Sequence, residues 1–213
     1  MRKFFRVSAL AALALGATAM TAQAQKTVGL VAGVGLSTMS GDFASDGNSS
    51  RVGFTGGVVV GIPVGSGNIQ IEPGLLYSTK GEKYDNSDYK GTFAMDYIEV
   101  PVLFKWSSKP AGAGIYLLGG PAINFNISCS DSGTDPDGSN AYDEKCSDYP
   151  EVKTPTVISG VVGVGYSTGR IGVEGRYDFD LGDAISLNYE EGTVSFSEGA
   201  KNKVIQILVR VTK

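Results

Sequence analysis

Residues 170–181 read Arg-Ile-Gly-Val-Glu-Gly-Arg-Tyr-Asp-Phe-Asp-Leu. Ile171, Val173, Tyr177, Phe179 and Leu181 share one parity, on which only Gly175 lacks bulk. Arg170, Gly172, Glu174, Arg176, Asp178 and Asp180 occupy the other. Period-two alternation of this kind defines a strand with two chemically different faces. It does not say which face points outward. With the apolar side inside, the chain is a soluble barrel or sandwich; with it outside, the solvent is lipid and the chain is a membrane barrel.

The rest of the chain repeats the pattern. Thr27–Ser37, Arg51–Ile62, Asn68–Thr79, Ala94–Trp106, Ala113–Ile127, Val157–Tyr166 and Lys203–Val211 each set bulky apolar residues against small or polar ones. With Arg170–Leu181 they make eight strands, joined by connections that run long, short, long, short, long, short, long. Such sorting is the asymmetry of an up-and-down barrel with both termini at one rim. The charged run Lys80–Thr92, the cysteine-bearing stretch Ser128–Lys153 and Gly182–Asn202 read as long loops, the last able to extend its flanking strands.

Two features decide the facing. The non-apolar parity is crowded with glycine and serine, which suit the inside of an eight-stranded barrel just wide enough for side chains. The few ions there can pair with one another: Glu72, Glu99, Glu174 and Asp178 against Arg51, Lys105, Arg176 and Arg210. On the apolar parity, Phe54, Tyr77, Phe125, Tyr177 and Phe179 fall near the long-loop ends, and Phe104, Trp106 and Tyr166 near the tight-turn ends. Two aromatic bands around an aliphatic middle mark two membrane interfaces. The expected fold is therefore all-β: an eight-stranded antiparallel up-and-down transmembrane β-barrel. Pro73, Pro101 and Pro121 fall inside strands, where a residue without an N–H predicts β-bulges.

Composition agrees. The chain has 213 residues, 30 of them glycine, and mean hydropathy near zero. After the first two dozen residues no apolar run approaches the roughly 20 needed for a membrane-spanning helix. Arg2, Lys3 and Arg6 precede the apolar run Val7–Ala19, and Ala22-Gln23-Ala24 follows. These parts predict a signal peptide over 1–24 and a barrel domain over 25–213. Removing those three cations takes the formal charge from −4 to −7, which disfavours nucleic acid as a partner. The two cysteines, Cys129 and Cys146, lie in one polar segment, and in an oxidising compartment they form a disulfide worth about 3 kcal/mol. Two thiols with no histidine anywhere argue against a metal site.

The segments Ile71-Glu72-Pro73-Gly74-Leu75-Leu76-Tyr77-Ser78-Thr79-Lys80-Gly81 and Tyr97-Ile98-Glu99-Val100-Pro101-Val102-Leu103-Phe104-Lys105, with Gly119-Gly120-Pro121 and Arg176-Tyr177, resemble the PorT-like outer-membrane β-barrel family. These are eight-stranded barrels of Gram-negative bacteria. The resemblance spans essentially the whole mature chain, and Tyr97–Pro101 is its most specific part. It implies location and architecture, and carries over no catalytic residues.

No phosphate, dinucleotide or zinc motif stands out, and the absence of histidine removes the usual general base. Carboxylates such as Glu72 and Glu99 are read as neutralising Arg and Lys in a packed lumen. Asp131, Asp135, Asp137, Asp143, Glu144, Asp148 and Glu151 crowd one loop, without the spacing of a Ca²⁺-binding loop, and are read as a solvated acidic surface. Tyr84, Tyr89, Tyr142, Tyr149 and Tyr189 give the loops contact points. No cofactor is expected. The expected partners are outer-membrane lipid and an extracellular or envelope protein met by the loops. The leading expectation is a non-enzymatic barrel with a side-chain-filled lumen. Its alternatives are a narrow channel lined by Glu72, Glu99, Lys105 and Arg176, and a soluble exported barrel carrying an apolar ligand.

Overall fold

The computed structural model describes residues 26–41, 48–65, 67–85, 90–135, 137–138, 140–191 and 194–213; the expected signal peptide lies outside them. Among these residues eleven strands form one antiparallel sheet. They are β1 (Thr27–Gly41), β2 (Asn48–Val64), β3 (Ile69–Asp85), β4 (Lys90–Ser107), β5 (Gly114–Thr134), β6 (Ala141–Lys145), β7 (Val152–Lys153), β8 (Val157–Ser167), β9 (Ile171–Asp180), β10 (Ile185–Glu191) and β11 (Val194–Thr212). Eight of them close a ring in the order β1-β2-β3-β4-β5-β8-β9-β11, and β11 returns to β1 in register from Gly29↔Thr212 to Gly41↔Ala200. Closure leaves no sheet edge at the ring, which a lipid-embedded backbone requires.

The apolar parity faces outward. Leu30 is 62% exposed, Ile207 63% and Val173 52%, while Glu174 beside Val173 is 1% exposed. This overturns the soluble-carrier alternative, because the broad apolar face has only an apolar surround to satisfy it. The outward apolar band runs from Ile69 to Tyr77 on β3, from Trp106 to Ile98 on β4 and from Ile158 to Tyr166 on β8. Each stretch matches the 9–11 residues a tilted strand needs to cross the bilayer core. Phe179 lies across Gly160, its pairing partner, where a Cβ would come 2.5 Å from the ring.

Two expectations need correction. The stretches read as loops are largely strand: β3 and β4 pair as far as Asp85↔Lys90, β5 pairs β6 as far as Thr134↔Ala141, and β10 pairs both β7 and β11. The ladder outlives the hydropathy alternation because, beyond the lipid, both faces of a strand can be polar. The prolines carry no register shift. Pairing keeps one register on either side of them, as in Pro73↔Val102 with Leu76↔Glu99 and Pro101↔Ala122 with Phe104↔Gly119. A proline withholds one ladder donor, whereas a bulge requires an extra residue. The shifts fall instead between Ser50 and Thr55 and at Asp96/Tyr97, where Ile127 is the unpaired residue. That extra residue reverses the parity of β5, so Cys129 pairs with buried Met95.

Candidate functional site

The lumen holds two layers of ions. In the layer nearer the tight turns, Arg210 forks onto Glu72, with Nη1–Oε2 at 2.6 Å and Nη2–Oε1 at 2.8 Å. Its Nη2 also reaches Glu174 Oε2 at 3.0 Å. Arg176 Nη2 lies 2.6 Å from Glu174 Oε1, and Tyr116 donates its hydroxyl to Glu174 at 2.7 Å. Lys105 stands 4.0 Å from Glu72 and 4.0 Å from the centroid of the Tyr116 ring. Tyr116 fits because its ring covers Gly165, its partner on β8, where any Cβ would collide with it.

The second layer, towards the long hairpins, centres on Lys80. Its ammonium donates to Asp178 Oδ2 at 2.6 Å and to Asn124 Oδ1 at 3.2 Å, with Asp180 at 3.9 Å and Glu99 at 4.0 Å. Asp180 accepts in turn from Asn202 Nδ2 at 3.0 Å. Above this layer Met39, Met95, Tyr97, Val157, Ala184, Ile185 and Ala200 pack into an apolar cluster, joined by Phe93, Cys129 and Val152. Leu103, Leu118, Ala122 and Val161 pack with Tyr116, and Val31, Val59 and Leu76 form a third apolar group. Among the described residues, polar and apolar layers alternate along the bore.

The structure thus brings Glu72, Glu99, Lys105, Glu174, Arg176, Asp178 and Arg210 inside the barrel, none more than 3% exposed. Arg51 does not join them. It is half-buried on β2, and its guanidinium donates to the Lys80 carbonyl at 2.6 Å. Lys80 itself, read from sequence as the start of a loop, is 1% exposed. The signal for it was the inward parity of β3, which continues from Gln70, Glu72 and Ser78 through Lys80 to Glu82 and Tyr84. Phe54, Tyr77, Phe104, Trp106, Phe125, Tyr166 and Tyr177 are exposed on the outer wall with Phe179 half-buried among them, and Tyr177 stacks on Phe179 at 5.5 Å.

Beyond the lipid band, Cys129 and Cys146 form a disulfide with Cα atoms 5.4 Å apart. Nearby, the Tyr84 hydroxyl donates to Asp131 at 2.6 Å and contacts the Tyr142 hydroxyl. Burial pushes both the Tyr84 hydroxyl and the Asp131 carboxyl up from their ordinary values. Tyr149 donates to Glu144 on the exposed hairpin, and Tyr89 lies outside the described residues. Among the described residues no three acidic or cysteine side chains converge as metal ligands.

A family model described as outer membrane protein beta-barrel domain matches residues 22–186. The chain belongs to that family. Its place is the outer membrane, and it is an outer-membrane β-barrel protein. Among solved structures, the attachment invasion locus protein Ail of Yersinia pestis is similar, with a TM-score of 0.50 at 9% identity, over 89% of this chain and 99% of that one. Neisserial surface protein A gives 0.48 at 12% identity, over 86% and 96%. OprG from Pseudomonas aeruginosa gives 0.46 at 10% identity, over 89% and 96%. No curated protein matched the chain.

Proposed function

We propose that this protein is a non-enzymatic outer-membrane barrel with a closed bore, which acts at the cell surface through its long hairpins. The filled lumen carries this reading. Among the described residues its ions are bound to one another and an apolar cluster lies over them, which supports a closed bore over a pore. Glu72, Glu99, Glu174, Asp178 and Asp180 lie at ion-pair distance from lysine or arginine, and the chain has no histidine to act as a base. What remains available is the hairpin surface: Asp143, Glu144 and Tyr149 exposed or half-exposed on and beside β6, braced by the disulfide to β5. Such a surface suits a cationic protein partner, since acidic patches steer positive ones. The segments 71–81 and 97–105 support a PorT-like place within the family.

The test is added protease on intact cells. Cleavage within 135–140 without lysis is the expected result. Protection until the cells are lysed would show that the hairpins face the periplasm and would end this reading.

A further inference from the structure

At the tight-turn end, the bore finishes in hydrogen-bond donors that meet no acceptor. Gln70 on β3 and Lys105 on β4 are pairing partners whose side chains both enter the lumen, 2% and 3% exposed. Ser107 is the next inward residue of β4 towards the rim and is fully buried. Gln70 Nε2 and Ser107 Oγ have no hydrogen-bond partner among the described residues. The Lys105 ammonium rests over the Tyr116 ring, and its one ion-pair contact among the described residues is Glu72 at 4.0 Å. Glu72 is drawn the other way, because both of its oxygens are held by Arg210 at 2.6 and 2.8 Å.

This layer also carries one cation too many. Lys105, Arg176 and Arg210 share only Glu72 and Glu174. The carboxylates around Lys80 do not make up the difference at Lys105: Glu99, further along β4, lies roughly 20 Å away at the usual strand rise. The short turn Pro110–Gly112 folds over the same end of the bore. Gly112 is buried there with a left-handed φ of 75°. A Cβ built on it would stand 3.2 Å from Gln70 Oε1, 3.3 Å from Lys105 Nζ and 3.6 Å from Gln70 Nε2. The ammonium and the amide therefore converge on one point beneath the turn.

We infer that this end of the lumen is a binding site for a small monovalent anion of the size and charge of chloride. It is held beneath Gly112 by the Lys105 ammonium and the Gln70 amide, with the Ser107 hydroxyl beside them. A buried charge is costly unless it is paired and hydrogen-bonded, and one anion supplies both the missing counter-charge and the missing acceptor. Behind the site, Leu103, Leu118, Ala122 and Val161 pack with Tyr116, so the anion sits in a blind end and does not pass through. The site does not depend on which way the hairpins face.

The experiment uses the folded barrel with two halide probes. Crystals soaked in bromide are expected to show an anomalous peak between Lys105 Nζ and Gln70 Nε2. In lipid vesicles, chloride is expected to raise the urea midpoint of unfolding relative to gluconate at equal ionic strength, since a ligand of the folded state stabilises it. The concentration dependence of that midpoint gives the anion affinity. Lys105→Met removes the charge and is expected to weaken the affinity about tenfold or more, the worth of a charge-assisted hydrogen bond. Gln70→Leu removes one neutral donor at similar size and is expected to weaken it about two- to tenfold, which keeps the site testable if Lys105→Met does not fold. Lys109→Gln, exposed outside the bore, is expected to change nothing. A water molecule alone at the site, a midpoint indifferent to chloride, or undiminished affinity in the Lys105→Met or Gln70→Leu barrel overturns the proposal.

Discussion

Replacing Lys80 by methionine keeps most of the side-chain volume and removes the one ammonium at the centre of the hairpin-side layer. Asp178 loses its partner at 2.6 Å, and Asp180 and Glu99 lose the cation 3.9 Å and 4.0 Å away. All of these carboxylates lie within the barrel, at most 8% exposed. Breaking a buried pair from one side costs about 3–5 kcal/mol, because the remaining charge is left without compensation. Three carboxylates share this one cation, so the upper end, about 5 kcal/mol, is expected. Restoring charge balance with Asp178→Asn in the same chain is expected to recover about 1–3 kcal/mol of it as coupling energy. Urea-dependent folding into lipid vesicles measures this, and Trp106, the chain's single tryptophan, is exposed on the lipid face and reports insertion. A loss below about 1 kcal/mol, the level of an exposed ion pair, would refute the claim that Lys80 organises the lumen.

Two further outcomes follow from the facing and from the hairpin tie. Val173→Arg, on the lipid face, is expected to cost about 2–4 kcal/mol in the same folding assay. Gly163→Ala, on the lumen face, is expected to cost about 1–3 kcal/mol by overpacking, since its Cβ would come 2.7 Å from the Gly175 carbonyl oxygen and 3.0 Å from Leu118; equal, negligible effects of both would undo the facing. Cys129→Ser with Cys146→Ser is expected to leave heat-resistant folding in detergent nearly unchanged, because the ring is closed by strand pairing without the disulfide. The same variant should be cut faster within residues 135–140 by protease, and loss of the barrel itself would show that the tie belongs to the core.

The wall was legible in the sequence, and the contents of the bore only partly. Arg170–Leu181 gave both faces of β9 because lipid demands apolar side chains on one parity and a narrow lumen demands small or paired ones on the other. The same demand vanishes above the membrane, so hydropathy could not mark where β3 and β4 end, and Lys80 was read as loop. Its partner Asp178 lies 98 residues away, and no local pattern links the two. The parity of β5 beyond Asn126 was equally hidden, because the bulge at Ile127 is a one-residue count that only pairing reveals. The prolines misled in the opposite direction, since a missing donor does not by itself move a register.

The sealed bore is the claim on which the rest depends, and planar-bilayer conductance tests it directly. The purified, folded chain is expected to insert without steady unitary currents, at either polarity, because ion layers and the apolar cap fill the path. Steady unitary channels that disappear in Arg176→Leu would contradict it and show that Glu72, Glu99, Lys105 and Arg176 line a conducting pore.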